Sequence, residues 1–542
     1  MSRRALWAVV VLFLAWGALG VGRSSFTLGG ERWFPLADDQ MVSMRFAKHL
    51  AEGQGLVWNT ALFNGYPGAH PQFLRVEGFS NPLWTGLMAL VHLTGSPVQL
   101  LGLWVKLLAL LCLAANLVVV RRLAEEVAPE QPVAAWTAVV LAGFSAPLLY
   151  WAVMGFEVAL LVLLVGLALL GLVRWQDPAD RRALLAPSAW LALAVWVRLD
   201  AVVAVAVAVV YVAWRGRERW LRCGLVPVVV VGASLALQTA ARLAYYGDWV
   251  PNTYHLKMTG YPEELRVATG AIWLALTLKG PGLLVLASAL GLAAWRGDGR
   301  MRLLVGLVLA QAAYSVWVGG DAWEENGLAN RFLAIGLPAL AVLIGWALAR
   351  VVGRSAFSHP AVAALLIVLA AVAMEGKGDP DRTVRWLAAD LPYKADDYRE
   401  LTALSKAVAD VTTPNANVAV VWAGLLPYLT DLTCIDLLGK SDHSVVNAPA
   451  RTFEQVGDLF QWRNPTHDEW GHFYPGHLKW HYPWSIGRLK PDVIAQQWGP
   501  PADLAPFLSD YQPVALGGDP RLTVALRKGS PRIRWERVGL AP

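Results

Sequence analysis

The sequence predicts a mainly α-helical, polytopic membrane domain of about eleven spans at residues 1–374, followed by an extracytoplasmic α/β domain at 375–542. Three observations predict it. The 542 residues are 56% hydrophobic and only 16% charged, with a mean hydropathy of +0.44, too apolar for an ordinary water-soluble globule. Long apolar segments are separated by loops in which arginine recurs on alternate sides. After Met374 that pattern stops and ordinary globular composition takes over.

The apolar segments run over 5–21, 98–120, 133–151, 158–173, 184–197, 201–214, 224–245, 281–295, 303–318, 332–349 and 360–374. Arg3 and Arg4, Arg121 and Arg122, the 174–182 arginines, Arg215 through Arg222, Arg296 through Arg302, and Arg350 with Arg354 fall in alternate loops. Cytoplasmic loops retain Lys and Arg, so the N-terminus lies inside and the C-terminal domain outside, as in a multi-pass protein of a bacterial-type inner (plasma) membrane. The first segment also reads as a cleavable signal peptide ending near Ala18-Leu19-Gly20, which leaves the later loops facing the same way.

Two places test this reading. Residues 83–93 are apolar but short and flanked by Pro82 and Gly95, and a span there would reverse every later loop. They read as a helix lying in or dipping into the outer face. Arg198 and Asp200 interrupt 184–214, which reads as two short spans with an outer turn; one long helix with a buried Arg/Asp pair is the alternative.

In the C-terminal domain, 417–423, 434–438, 493–497 and 522–526 read as short buried strands, with a compact helix or turn at 425–429. The net charge of +6 is spread over short loops and makes no basic patch, so no nucleic acid is expected as a partner. Cys112, Cys223 and Cys434 are too scattered for a disulfide framework and read as free thiols. Many of the 27 Trp sit near span ends, as an aromatic belt at the membrane lipids would place them. No solenoid-like repeat is evident.

Sorted by side, the unusual polar residues gather on the outer face. The long first outer loop, 22–97, carries Asp38-Asp39, Arg45, Lys48, His49, Arg75 and Glu77, and a loop of that length in a membrane protein is usually functional. Adjacent carboxylates near a membrane surface suit a general base with a neighbour that tunes it, though a solvated turn or helix cap has the same sequence.

The stretch DDQMVSMRFAKHLAEGQGLVWN, followed by RVEGFSNPLWTGLMAL, resembles the first periplasmic loop of GT-C glycosyltransferases, in particular the mycobacterial terminal β-(1→2)-arabinofuranosyltransferase family. Further pieces recur in the same order: WAVMGFE ending at Glu157, VRLD containing Arg198 and Asp200, YYGDWVPNTYHLK ending at Lys257, GGD ending at Asp321, NRF with Arg331, LPY at 426–428 with Ile435-Asp436, and PGH ending at His477. The likeness spans about Asp38 to Lys479. Each piece is weak alone and the ordered set is fairly specific. Departures lie at Gln40-Met41, at an apparent insertion over 66–73, and at Glu324-Glu325.

The resemblance implies an enzyme that takes a sugar, arabinofuranose or another pentose or hexose, from a polyprenyl monophosphate and passes it with inversion to an extracytoplasmic glycan or lipid-linked acceptor. It implies Asp38 as the base and Asp39 as its orienting partner, with the roles exchangeable. Arg198, His255, Lys257 and Arg331 are then candidates for the donor phosphate, since Arg offers a fork and Lys a point charge. Arg45, Glu77, Glu157, Asp200, Asp321 and His477 are candidates for substrate contact. Each has a structural alternative: Arg198 pairing with Asp200, Arg331 with Asp321 or Glu324, His255 and Lys257 anchoring at the interface, Glu157 offsetting a helix N-terminus.

No cofactor is expected. His467, His472, His477 and His481 lack the spacing of a zinc site, and a divalent metal is less needed for a monophosphate leaving group. Two other classes stay open. A transporter predicts repeated halves and mid-membrane ionisable residues, and neither is evident; a polymer ligase with a diphosphate-linked donor fits the same outer-face residues.

Overall fold

The computed structural model describes all residues except 62–74, 130, 325–329, 353–358, 453–454, 456–472 and 540–542. The chain folds as two compact units, each assembled from separate stretches: residues 1–23, 106–238 and 270–393 in the first, and 24–105, 239–269 and 394–542 in the second. Residue 374, where the apolar pattern ends, lies inside the first unit, which runs on to Tyr393.

Every apolar segment named above is helical over most of its length. Among the described residues three stretches are long and apolar enough to cross a membrane, Arg3–Arg23, Val98–Val127 and Leu199–Tyr246, or six if each of three bent helix pairs counts as one. The protein is therefore a multi-pass membrane protein. The Leu199–Tyr246 stretch is not one rod: a Cβ placed on Gly224 falls 3.9 Å from that of Ala213, whereas residues 213 and 224 of a straight helix lie about 16 Å apart. The chain turns back at Arg217, whose φ is +45°, within the arginine-rich loop.

The first unit is a helical bundle in which small residues permit close crossings. A Cβ on Gly345 of the Leu337–Val352 helix would overlap the Ala134 carbonyl of Pro132–Gly143. Pro132–Gly143 meets Ala146–Val153 at 41° across a break that Pro147 enforces. Arg198, at φ −158° and ψ 136°, is extended and separates Leu185–Val197 from Val202–Gly216, as the two-helix reading of 184–214 expects. Glu263–Leu278 is a helix that the sequence reading left out; it bends by 103° into Gly282–Arg296, and its polar opening, Glu263, Glu264 and Arg266, hides it from an apolar-run search.

The second unit holds a hairpin of β1 (Phe26–Leu28) and β2 (Glu31–Trp33), turning at Gly29-Gly30 with both φ positive. Its helices include Asp38–Ala51, Pro82–His92, Asn252–Met258 and Ala395–Val411. Pro82–His92 buries Trp84, Thr85, Met88 and Ala89 and leaves Leu90 exposed, so the helix expected at 83–93 is present. The sheet has the order β4-β3-β5-β7-β6, with β3 Asn417–Val420, β4 Thr433–Asp436, β5 Val493–Ile494, β6 Tyr511–Ala515 and β7 Thr523–Arg527. β3 pairs in parallel with β4 and β5, and β7 runs antiparallel to β5 and β6. All four β3 residues are buried, which makes this the covered centre of a small α/β layer. The four expected strands are present; β6 is additional.

Candidate active site

In the second unit, Asp38 opens the Asp38–Ala51 helix, where first-turn acids oppose the positive end of the helix dipole. Its carboxylate turns to another backbone. Oδ1 accepts from the N–H groups of Leu425 at 2.9 Å and Gly424 at 3.1 Å, and Oδ2 accepts from Gly424 at 3.2 Å. Gly424 is required by this approach, since a Cβ there would overlap the Asp38 carbonyl. The Asp38 N–H donates to the Tyr398 hydroxyl at 3.3 Å.

Asp38 is 7% exposed. Burial lifts its pKa from 3.8 to about 6, with Asp39 adding to the rise, against the pull of Lys440 and the two N–H groups. Asp39 forms an ion pair with Lys440. Burial works against the Lys440 charge, but Asp39, Asp38 and Asp436 overcome it and hold the ammonium above the usual lysine value.

Lys440 follows β4 on a loop fixed from two sides. The buried Asp436 carboxylate accepts from the N–H groups of Leu438 and Gly439, both at 3.0 Å, and of Ser441 at 2.8 Å. The Asn252 amide donates to the Gly439 carbonyl at 2.8 Å and the Lys440 carbonyl at 2.9 Å. A Cβ on Gly78 would overlap Ser441, so the Glu77-Gly78 backbone packs against this loop, and Asn252 N–H donates to the Glu77 carbonyl at 3.1 Å. The Glu77 carboxylate pairs with buried Arg242, which also reaches the Trp249 carbonyl at 3.4 Å.

Arg45 is 1% exposed. Its guanidinium donates to the carbonyls of Trp58 and Leu432 and to Asn59 Oδ1. Asn59 in turn exchanges two hydrogen bonds with the Cys434 backbone. Arg45 thus ties its helix and the Trp58-Asn59 stretch to the start of β4. His255 Nε2 lies 3.0 Å from Asp248; burial raises the Asp248 carboxyl, but the Val250 N–H and His255 outweigh it and hold it below its usual value. Lys257 runs beside Gly476, and His477 stacks on Tyr474 at 3.9 Å between ring centroids. The three cysteines are free thiols. Among the described residues no group of three or more His, Cys, Asp or Glu side chains is placed to hold a metal; His467 and His472, with Glu325 and the 66–73 stretch, lie outside those residues.

In the first unit two arginine forks come into view. Arg198 grips Asp200 through Nε at 2.9 Å and Nη2 at 2.5 Å, and Nη1 lies 3.5 Å from Glu157. Arg331 grips Asp321 with Nε and Nη2, both at 2.7 Å, and stands over Phe156 at 4.9 Å. Glu324 accepts from the Asp321 N–H at 2.9 Å and from Asn330 at 2.6 Å; burial lifts it to about 8.

The structure therefore joins Asp38, Asp39 and, one backbone layer away, Glu77 in one unit, where His255, Lys257 and His477 also lie. It joins Glu157, Arg198 and Asp200, with Arg331 and Asp321, in the other. Sequence reasoning missed Lys440, Asn252 and Arg242. A lone arginine inside the apolar segment 224–245 was the available signal for Arg242; nothing local marks Lys440, whose place comes from the β4 loop geometry.

With this geometry the comparisons fall into place. The chain superposes on ArnT from Cupriavidus metallidurans bound to undecaprenyl phosphate with a TM-score of 0.56 at 13% identity, over 81% of this chain and 87% of that one. It has the GT-C fold. Archaeal oligosaccharyltransferase AglB from Archaeoglobus fulgidus, in complex with an inhibitory peptide and a dolichol-phosphate, is similar with a TM-score of 0.51 at 12% identity, over 97% of this chain and 75% of that one. Residues 384–523 match the model of a domain of unknown function, DUF8728. No curated protein matches the sequence significantly. At these identities the GT-C likeness is one of fold, which agrees with the fold expected from the ordered motifs.

Proposed function

We propose that the protein is an integral-membrane glycosyltransferase that moves a sugar from a polyprenyl monophosphate to a hydroxyl of an extracytoplasmic glycan or lipid-linked acceptor. Asp38 is the base. The observation that carries this reading is the Asp38-Asp39 pair at the start of its helix, with Asp38 buried, pinned by two N–H groups and lifted to about 6, in a chain whose fold is that of GT-C enzymes. A carboxyl with that pKa is mostly ionised near pH 7 yet a stronger base than an ordinary aspartate, which is what abstraction of a hydroxyl proton needs.

The reaction is one displacement. The acceptor oxygen bonds the anomeric carbon as the bond from that carbon to the phosphate oxygen breaks; the acceptor proton passes to Asp38, and the electron pair leaves on the polyprenyl phosphate. Inversion follows from a single displacement. Arg198 and Arg331 carry forks of the kind that recognise phosphate, each engaged by a carboxylate, Asp200 and Asp321. No divalent metal is needed for such a leaving group, and the membrane lipids supply the donor laterally.

The likeness to an oligosaccharyltransferase gives the ligase reading a footing as well. Full-length protein in membranes is offered undecaprenyl monophosphates carrying radiolabelled arabinofuranose or a hexose, in parallel with a diphosphate-linked oligosaccharide. Label moving from a monophosphate donor into a glycan or glycolipid fraction supports the proposal. Transfer from the diphosphate donor alone replaces it with the ligase.

A further inference from the structure

The reading of Asp38 as the base leaves Lys440 without an assigned part. Lys440 is built into the fold more firmly than a surface ion pair requires. Its loop is closed by three N–H bonds to Asp436 and by two bonds from Asn252. Gly78 makes room for the loop where a side chain would collide. The Lys440 side chain is 12% exposed and that of Asp39 is 22% exposed, so the pair is held largely away from water, where an opposite charge acts strongly on a neighbour's proton affinity.

We propose that Lys440 is the positioning residue of the carboxylate pair: its ammonium, set on the clamped β4 loop, pairs with Asp39 next to Asp38 and so fixes the pH range in which Asp38 accepts a proton. The groups that face Asp38 are few. Asp39 lies beside it on the same helix, the Gly424 and Leu425 N–H groups come from the helix after β3, the Tyr398 hydroxyl from Ala395–Val411, and Lys440 with Asp436 from the β4 loop. Among these described groups the positive charge comes from Lys440. Three carboxylates surround it, so without it two or more negative charges would face one another in a nearly dry site.

The sign follows. Lys440 favours ionised Asp38 and Asp39 opposes it. Removing the ammonium takes away that attraction, which raises the pH at which Asp38 loses its proton. Neutralising Asp39 lowers it.

The test reads Asp38 without turnover. pH-difference infrared spectra of the detergent-solubilised full chain give the protonated-carboxyl band that Asp38→Asn removes, with a midpoint expected near 6 in the parent. In Lys440→Gln the midpoint should rise by about one unit or more, the size of shift a close opposite charge produces, and Lys440→Arg should return it most of the way. A midpoint unmoved in Lys440→Gln overturns the proposal. If Lys440→Gln does not yield folded protein, Lys440→Met is read in the same way: a raised midpoint supports the proposal and an unmoved one refutes it. The base assignment is judged separately, by transfer in Asp38→Asn. Asp38 can titrate as described and still not be the base, so the two failures are distinguishable.

Discussion

At the residue scale the chemistry rests on what burial does to one carboxyl. Asp38 is lifted to about 6 in the folded chain from 3.8. A group raised on folding contributes stability that is fully present below the unfolded value and lost as the pH climbs through the folded one. Ionised Asp38 therefore costs the parent about 3 kcal/mol by neutral pH. Asn cannot ionise, so Asp38→Asn should gain melting temperature relative to the parent as the pH rises from about 4 to about 7; a difference that stays flat contradicts the buried, raised carboxyl. The sequence singles out Asp38-Asp39 only through the motifs around it, because two acids at a helix start look the same whether they cap, solvate or react. Burial by Gly424 and Leu425 is decided almost four hundred positions away, and no local pattern carries that.

At the element scale, short connections hold the site. The β3–β4 connection provides the N–H groups for Asp38, the β4 loop provides Lys440, and Gly424 and Gly78 are glycine because other backbone passes where a Cβ would be. Gly424→Ala, at an ordinary negative φ, should destabilise the second unit by about 1–3 kcal/mol through overpacking and push Asp38 off its N–H groups. Transfer at the parental rate in that variant would contradict the described contact. Glu77→Gln leaves Arg242 buried with half its partner gone and should cost about 3–5 kcal/mol, read as a lowered melting temperature; a change within about 0.5 kcal/mol, typical of a surface site, would contradict burial of the pair. Elements with a clean period were legible: each long apolar run is helical over most of its length, 417–423 contains β3 and 434–438 overlaps β4. Glu263–Leu278 and β6 were not. The first starts with charges, and β6 is a short strand with Pro513 in its middle and only two of its five residues buried, which removes the usual strand signal. The break at Arg198 was legible because two charges in an apolar stretch are costly on lipid.

At the scale of the whole molecule, the alternating arginines predict an orientation with the C-terminal domain outside, and labelling tests it. In a cysteine-free background, a cysteine in place of exposed Lys528 should react with a membrane-impermeant maleimide added outside intact cells. One in place of exposed Glu218, beside the turn at Arg217, should react only after permeabilisation. The reverse pattern would invert the topology. Fold class is legible because hydropathy accumulates over hundreds of residues; the donor sugar depends on a handful of contacts and is not.

The most direct test is transfer by the parent, Asp38→Asn and Asp39→Asn at matched membrane levels, using whichever radiolabelled polyprenyl-phosphate sugar the parent accepts. Loss of a general base costs typically 10²–10⁴-fold. The account predicts that Asp38→Asn falls by that much while protein level and melting behaviour show it folded, with Asp39→Asn impaired less. Parental transfer by Asp38→Asn, or failure of the parent with every monophosphate donor, would contradict it.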